Sequence, residues 1–228
     1  MEVIDLTHVL SPRTPLFPAY DPVRVADKFA VDVDGFYVRS WAFDEHSGTH
    51  VDAPAHFATG AATVDAIPSG ELVLPLAVLD VRDRLGGDPD GVAVPDDVLD
   101  WERRHGPLPD RCAVAVLTGW GERAGDPAAY LNADDAGVLH SPGLSAQLTE
   151  FLKDDRPGVR AIGLDTASLD PGASTDFPAH VSWLPSGRYG IENLARLEAV
   201  PPAGATLVVG VTPFEAGSGG PARVLALT

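Results

Sequence analysis

The chain has 228 residues, 45% of them hydrophobic, enough for one sizeable core. Its 33 acidic and 16 basic residues give a net charge of −17, so neither nucleic acid nor an anionic membrane finds the basic face it would need. The lone cysteine, Cys112, supplies no disulfide framework and fits a reducing compartment such as the cytoplasm. The amino-terminal MEVIDLTHVL lacks the basic stretch and long apolar run of a secretion signal, and no apolar run approaches the roughly eighteen residues of a membrane helix.

Runs rich in Val, Leu, Ile and aromatics predict strands over GFYVRSWAF (35–43) and LVLPLAVLDV (72–81). VPDDVLDWERRHG (94–106) reads as a helix, with proline and acidic residues at its start and Arg103, Arg104, His105 and Gly106 at its end. A strand follows over RCAVAVLTGW (111–120). PGLSAQLTEFLKDD (142–155) then carries Leu144, Leu148, Phe151 and Leu152 at the spacing of an amphipathic helix. Three more strands are predicted over RAIGLDT (160–166), ATLVVGVTPF (205–214) and ARVLAL (222–227). The 23 glycines and 21 prolines are spread as turn punctuation, with no repeat or dividing linker. The expectation is one mixed α/β (α+β) domain over residues 1–228, a central mixed sheet flanked by helices.

Three of the seven histidines fall within HSGTHVDAPAH, residues 46–56. On a straight strand His46, His50, Asp52 and His56 would share a face, but at about 3.3 Å per residue the outer two would stand roughly 33 Å apart. Only His50 and Asp52, about 7 Å apart by the same rise, could then share an ion. The stretch makes chemical sense if the backbone curls at Gly48 and Pro54. Imidazole and carboxylate together are the ligand set of zinc, manganese or iron, and burying such groups unpaired would be costly. His8, His105 and His140 read as ordinary packing or surface residues.

HSGTHVDAPAH matches the His-x-Gly-Thr-His-x-Asp-x-Pro-x-His pattern of the cyclase family of metal-dependent hydrolases, which includes bacterial kynurenine formamidases and isatin hydrolases. The resemblance extends through IDLTHVL (4–10), HFATGAATVDAIP (56–68), LTGW (117–120), GLDTASLDP (163–171), GIENL (190–194) and GGPARVLAL (219–227). The middle stretch LTGWGERAGDPAAYL is more similar to the broader family than to the formamidases. The resemblance implies a swivelling β/β/α fold and a homodimer or larger homo-oligomer. It also implies a divalent metal, two Zn2+ ions or alternatively Mn2+, held by His46, His50, Asp52, His180 and Glu192. By the same likeness Asp52 bridges the ions and His56 is the catalytic acid/base. Neither His180 nor Glu192 stands out in the sequence alone.

The implied activity is hydrolysis of an aryl formamide such as N-formylkynurenine, or of a cyclic amide, by metal-activated water with His56 moving the proton. A metal-dependent cyclisation or dehydration in natural-product biosynthesis uses the same groups and stays open. A structural zinc site normally has four protein ligands and often cysteine, which disfavours a non-enzymatic metal protein here. No Gly-x-Ser-x-Gly elbow is present for a serine hydrolase. Phe17, Trp41 and Trp183 are the candidate pocket aromatics for a flat, small-molecule substrate.

Overall fold

The computed structural model describes residues 1–228. Its strands are β1 (Val3–Asp5), β2 (Arg24–Phe29), β3 (Val38–Ala42), β4 (His50–Asp52), β5 (Val73–Asp80), β6 (Val92–Ala93), β7 (Cys112–Leu117), β8 (Gly143–Leu144), β9 (Val159–Leu164), β10 (Tyr189–Glu192), β11 (Ala205–Val211) and β12 (Gly219–Leu227). Its helices are α1 (Val31–Asp34), α2 (Arg82–Leu85), α3 (Pro95–His105), α4 (Pro127–Leu131), α5 (Ala146–Asp154) and α6 (Pro178–Trp183).

The main sheet runs β1-β12-β11-β5-β7-β9-β10-β4, and β4 also pairs with β12, so seven strands close into a barrel. Strands β5, β7, β9 and β10 are mutually parallel, while β4, β11 and β12 join antiparallel. This is the mixed α/β architecture the sequence predicts, with closure as the added feature. The apolar run of β7 is buried on both faces. Ala113, Ala115 and Leu117 pack with Leu76, Ile191, Leu207 and Val224 in the barrel's own core. Cys112, Val114 and Val116 face the second core, under Trp101 of α3, Leu148 and Leu152 of α5, and Trp183 of α6. Small side chains on the inner face suit a narrow closed barrel.

Both predicted helices form. The Asp97 carboxylate accepts from Val94 N at 2.7 Å, satisfying a donor at the start of α3. Ser145 caps α5, its side chain accepting from Leu148 N. That cap starts the helix at Ala146, two residues after Leu144, which pairs in β8 instead; Leu144, Leu148 and Leu152 are nevertheless all fully buried. Strands β2 and β3 form a separate two-stranded arm, and every residue of β3 is exposed. No helix is long and apolar enough to cross a membrane.

Candidate metal centre

The chain turns at Gly48 in the left-handed region (φ +65°), where a side chain would be strained, and enters β4 at His50. Pro54–His56 then forms one 3-10 turn that ends the strand. The curl expected at Gly48 and Pro54 thus divides the motif into a bend, three strand residues and a turn. β4 lies between β10 and β12. Its register sets Glu192 opposite His50, and Gly190 and Gly219 on either side of Asp52. Those glycines make room for the cluster. A Cβ on Gly219 would sit 2.6 Å from His46 Cε1, and one on Gly190 would come within 3.4 Å of Asp52 Oδ2.

The result is five buried groups that meet at Asp52. His46, His50 and Asp52 present ligand atoms within 4.8 Å of one another, and so do Asp52, His180 and Glu192. Asp52 belongs to both sets. Each histidine is oriented by a bond on its other nitrogen, as ligand histidines usually are. His50 Nδ1–H donates to Gly48 O at 2.8 Å, which aims Nε2 into the cluster. The Ser218 hydroxyl donates to Glu45 Oε2 at 2.6 Å, so its oxygen accepts from His46 Nε2 at 2.9 Å and Nδ1 faces Asp52 Oδ1 at 2.7 Å. His180 Nδ1–H donates to Asp170 Oδ2 at 2.6 Å, leaving Nε2 toward Glu192 Oε1 at 3.1 Å and Asp52 Oδ2 at 3.5 Å.

The donor set fits a divalent ion. His50 Nε2 and Asp52 Oδ2 are buried polar atoms without a hydrogen-bond partner, and leaving such groups unpaired costs free energy that ligation would recover. Burial opposes the charge on Asp52, but the imidazoles of His180, His46 and His50 crowded against its carboxylate hold it well below the usual carboxylate range. Glu192 is raised by burial and then by the charge of Asp52. Burial disfavours the charged form of His50, yet the close contact with Asp52 and the charges of Asp52 and Glu192 outweigh it and push this histidine up to about 9. His180 is likewise carried well above its ordinary value, Asp170 being the first of the partners that overcome its burial.

At neutral pH the metal-free cluster therefore holds protons that an ion must displace. Metal affinity is expected to rise from neutrality toward pH 9, by about tenfold per unit for each proton displaced, and less steeply once His50 has lost its proton. Calorimetric titration at several pH values checks this; an affinity that falls over that range contradicts it.

His56 contributes no atom to either set of ligands. Its ring stacks on His46 at 3.9 Å between centroids and stands edge-on to His180 at 6.0 Å. Burial, with a smaller contribution from the neighbouring histidines, lowers it to about 4 despite the opposing charge of Asp52. It borders a cavity of about 290 Å³ lined by Phe17, Tyr20, Phe57 and Phe177 along with His46, Asp52, His180 and Glu192. Phe17 lies 6.2 Å from both Tyr20 and Phe177, centroid to centroid.

Two expected pocket residues lie elsewhere. Trp41 is on the outer arm, 41% exposed beneath the Arg39 guanidinium, because β3 belongs to the arm and not to the barrel. Trp183 is fully buried in the helix-covered core, its Nε1–H donating to Tyr189 O at 2.9 Å, since that large ring completes the packing of α6. Phe57 and Phe177 were not singled out in the sequence; the position of Phe57 beside His56 was the available signal. Asp170 was missed as well, although it lies inside the GLDTASLDP block. A larger cavity, of about 610 Å³, is bordered by α2, α3 and β5, but its Arg82 and Arg84 are tied to Asp80 and Asp97 and it holds no ligand cluster.

A family profile described as "Putative cyclase" matches residues 4–171. Isatin hydrolase of Roseibium aggregatum is 36% identical, over 100% of this chain and 92% of its own length. Kynurenine formamidase of Salinibacter ruber is 29% identical, over 99% of this chain and 97% of its own. The solved structure of isatin hydrolase A from Ralstonia solanacearum superposes with a TM-score of 0.92 at 34% identity, covering 99% of this chain and 91% of that one.

Proposed function

Since the chain belongs to the cyclase family of metal-dependent hydrolases, we propose that it opens a small, neutral cyclic aryl amide of the isatin type by adding water across the amide bond. The observation that carries this reading is the lining of the cavity beside Asp52. It has four aromatic rings and no arginine or lysine. A flat, uncharged fused ring fits such walls. N-formylkynurenine brings an amino-acid carboxylate, for which this lining offers no arginine or lysine. Hydrolysis of that formamide is the second reading, favoured by the 29% identical formamidase.

His46, His50 and Asp52 would hold one divalent ion, and Asp52, His180 and Glu192 a second, with zinc and manganese both suited to the donors. Such an ion would supply water of lowered pKa, about 7 in place of 15.7, and would polarise a carbonyl oxygen. His56, neutral at physiological pH, accepts a proton from the attacking water on its imidazole and returns it to the departing amide nitrogen. Its stacking on His46 keeps the ring beside the reacting atoms instead of letting it swing toward solvent. Phe17, Tyr20, Phe57 and Phe177 hold the flat substrate and exclude water from its faces. In a cyclic amide, both the new carboxylate and the freed arylamine remain on one product. Cyclisation would incorporate no solvent oxygen into the product, whereas hydrolysis incorporates one.

The test is turnover by metal-loaded protein, with chelated protein as the control. Isatin is expected to give at least about tenfold higher kcat/KM than N-formylkynurenine, a margin of roughly 1.4 kcal/mol. Preference for the formamide would replace the lactam reading.

A homo-oligomer is also part of the proposal, with a second copy seated on the arm. An isolated two-stranded ribbon is marginal in water. This one leaves Val33, Phe36, Tyr37 and Trp41 exposed. Within residues 24–42 three basic residues balance three acidic ones, on a chain of net charge −17, so a second acidic copy meets little net repulsion from the arm itself. Sedimentation as a monomer at micromolar concentration would remove this part. The buried thiol of Cys112 supports placement in a reducing compartment such as the cytoplasm.

A further inference from the structure

We propose that Asp170 is a positioning residue: it fixes His180 in the tautomer whose Nε2 can ligate, and so builds the Asp52–His180–Glu192 half of the centre. The proposal rests on the metal-centre reading above and assigns a role to a residue outside the ligand set. Asp170 is fully buried. Its Oδ1 accepts from Ala179 N at 2.7 Å, and its Oδ2 accepts from His180 N at 3.2 Å and from His180 Nδ1 at 2.6 Å. The two backbone bonds would suffice for a carboxylate that merely steadied the start of α6. The third, the shortest of the set, goes to the imidazole and has no part in the helix.

The neighbouring residue performs the same service for the other ligand. Leu169 N donates to Glu192 Oε1 at 2.8 Å. Adjacent residues of one loop thus orient both ligands that this half of the centre does not share with the other. The loop itself is held from outside. Leu144 N donates to Leu169 O at 2.8 Å, and a Cβ on Gly143 would come within 2.2 Å of Pro171 N. β8 therefore packs directly against the Asp170–Pro171 backbone. The other half of the centre depends on different supports, the Gly48 carbonyl for His50 and Ser218 for His46.

Asp170→Asn separates a ligand-orienting role from a purely structural one. The asparagine can offer only one oxygen. If that oxygen keeps Ala179 N–H, the amide nitrogen faces His180 Nδ1, which must then accept, leaving the proton on Nε2 and the lone pair turned away from the ion. In zinc titration of the chelated protein, the substituted chain is expected to keep one tight site and to bind at the second about 10–100-fold more weakly, the usual cost of losing such a partner. Unchanged affinity at both sites in a folded Asp170→Asn protein overturns the proposal, whatever happens to its melting temperature. Should the variant fail to fold, the nitrogen NMR shifts of His180 in the unsubstituted, zinc-loaded protein decide: ligation through Nε2 with a proton on Nδ1 is expected, and ligation through Nδ1 refutes it. No zinc uptake by the unsubstituted protein overturns the metal-centre reading, and the proposal with it.

Discussion

Asp52→Asn is expected to cost both sets of ligands at once and to bring turnover down to the level of chelated protein, several orders of magnitude below the loaded enzyme. The reason is geometric. Asp52 is the residue common to the two sets, and its carboxylate is approached by His46 at 2.7 Å, His50 at 3.2 Å and His180 at 3.5 Å. An amide in its place is a poorer ligand and carries no charge to offset protonated imidazoles. Asp52→Ala should in addition destabilise the fold, by about 3–5 kcal/mol, because truncating one member of a buried charged cluster leaves the others unpaired. Metal content by elemental analysis and turnover on the same sample are the measurements. Full metal occupancy in a folded Asp52→Asn protein would show that the carboxylate is not shared.

His56→Ala is expected to behave in the opposite way, keeping the metal while kcat falls by about 10²–10⁴-fold. His56 gives no atom to either ligand set, yet it lines the cavity and stacks on a ligand histidine. With a ring lowered to about 4 it is neutral at pH 7, so a ring nitrogen is free to accept a proton, and the imidazolium so formed gives that proton up readily to the departing nitrogen. Removing it deletes the proton carrier and enlarges the cavity. KM should accordingly change less than kcat. Loss of metal in parallel with activity would instead make His56 a ligand or a support of one, and normal turnover would take it out of the chemistry.

The parts of the fold legible in the sequence are those whose pattern is local. β5, β7 and β11 lie within apolar runs bounded by turn residues, β9 and β12 overlap theirs, with β12 starting three residues early, and α3 and α5 carry their stripes and end signals openly. β4 is different. Three residues long, it gains its place from pairing with β10 about 140 residues away and with β12 beyond that. Nothing in HSGTHVDAPAH announces that the sheet will close there. For the same reason Glu192 reached the candidate list only through the family likeness, since what makes it a neighbour of His50 is a cross-strand register. Gly190 and Gly219 matter because of the atoms a side chain would strike, which one-dimensional patterns do not contain.

The aromatic residues make the same point from the other side. Phe17 and Trp183 are alike as sequence symbols, but one lines the cavity and the other fills the core. Trp41 does neither. Hydrophobicity decides that a ring will be buried wherever it can, while tertiary packing decides against what. Gly48 was legible because its requirement is local: the motif needed a tight turn, and the positive φ there is the turn.

The most direct test of a functional metal centre gathered on Asp52 is a single titration. Chelated protein is returned stepwise to zinc or manganese, with bound metal and the rate of isatin ring opening followed together. Activity should climb from the chelated baseline and level off where the Asp52-centred ligand sets are filled. Hydrolysis that is already full in the chelated protein, or that stays at baseline once the metal is bound, would contradict it.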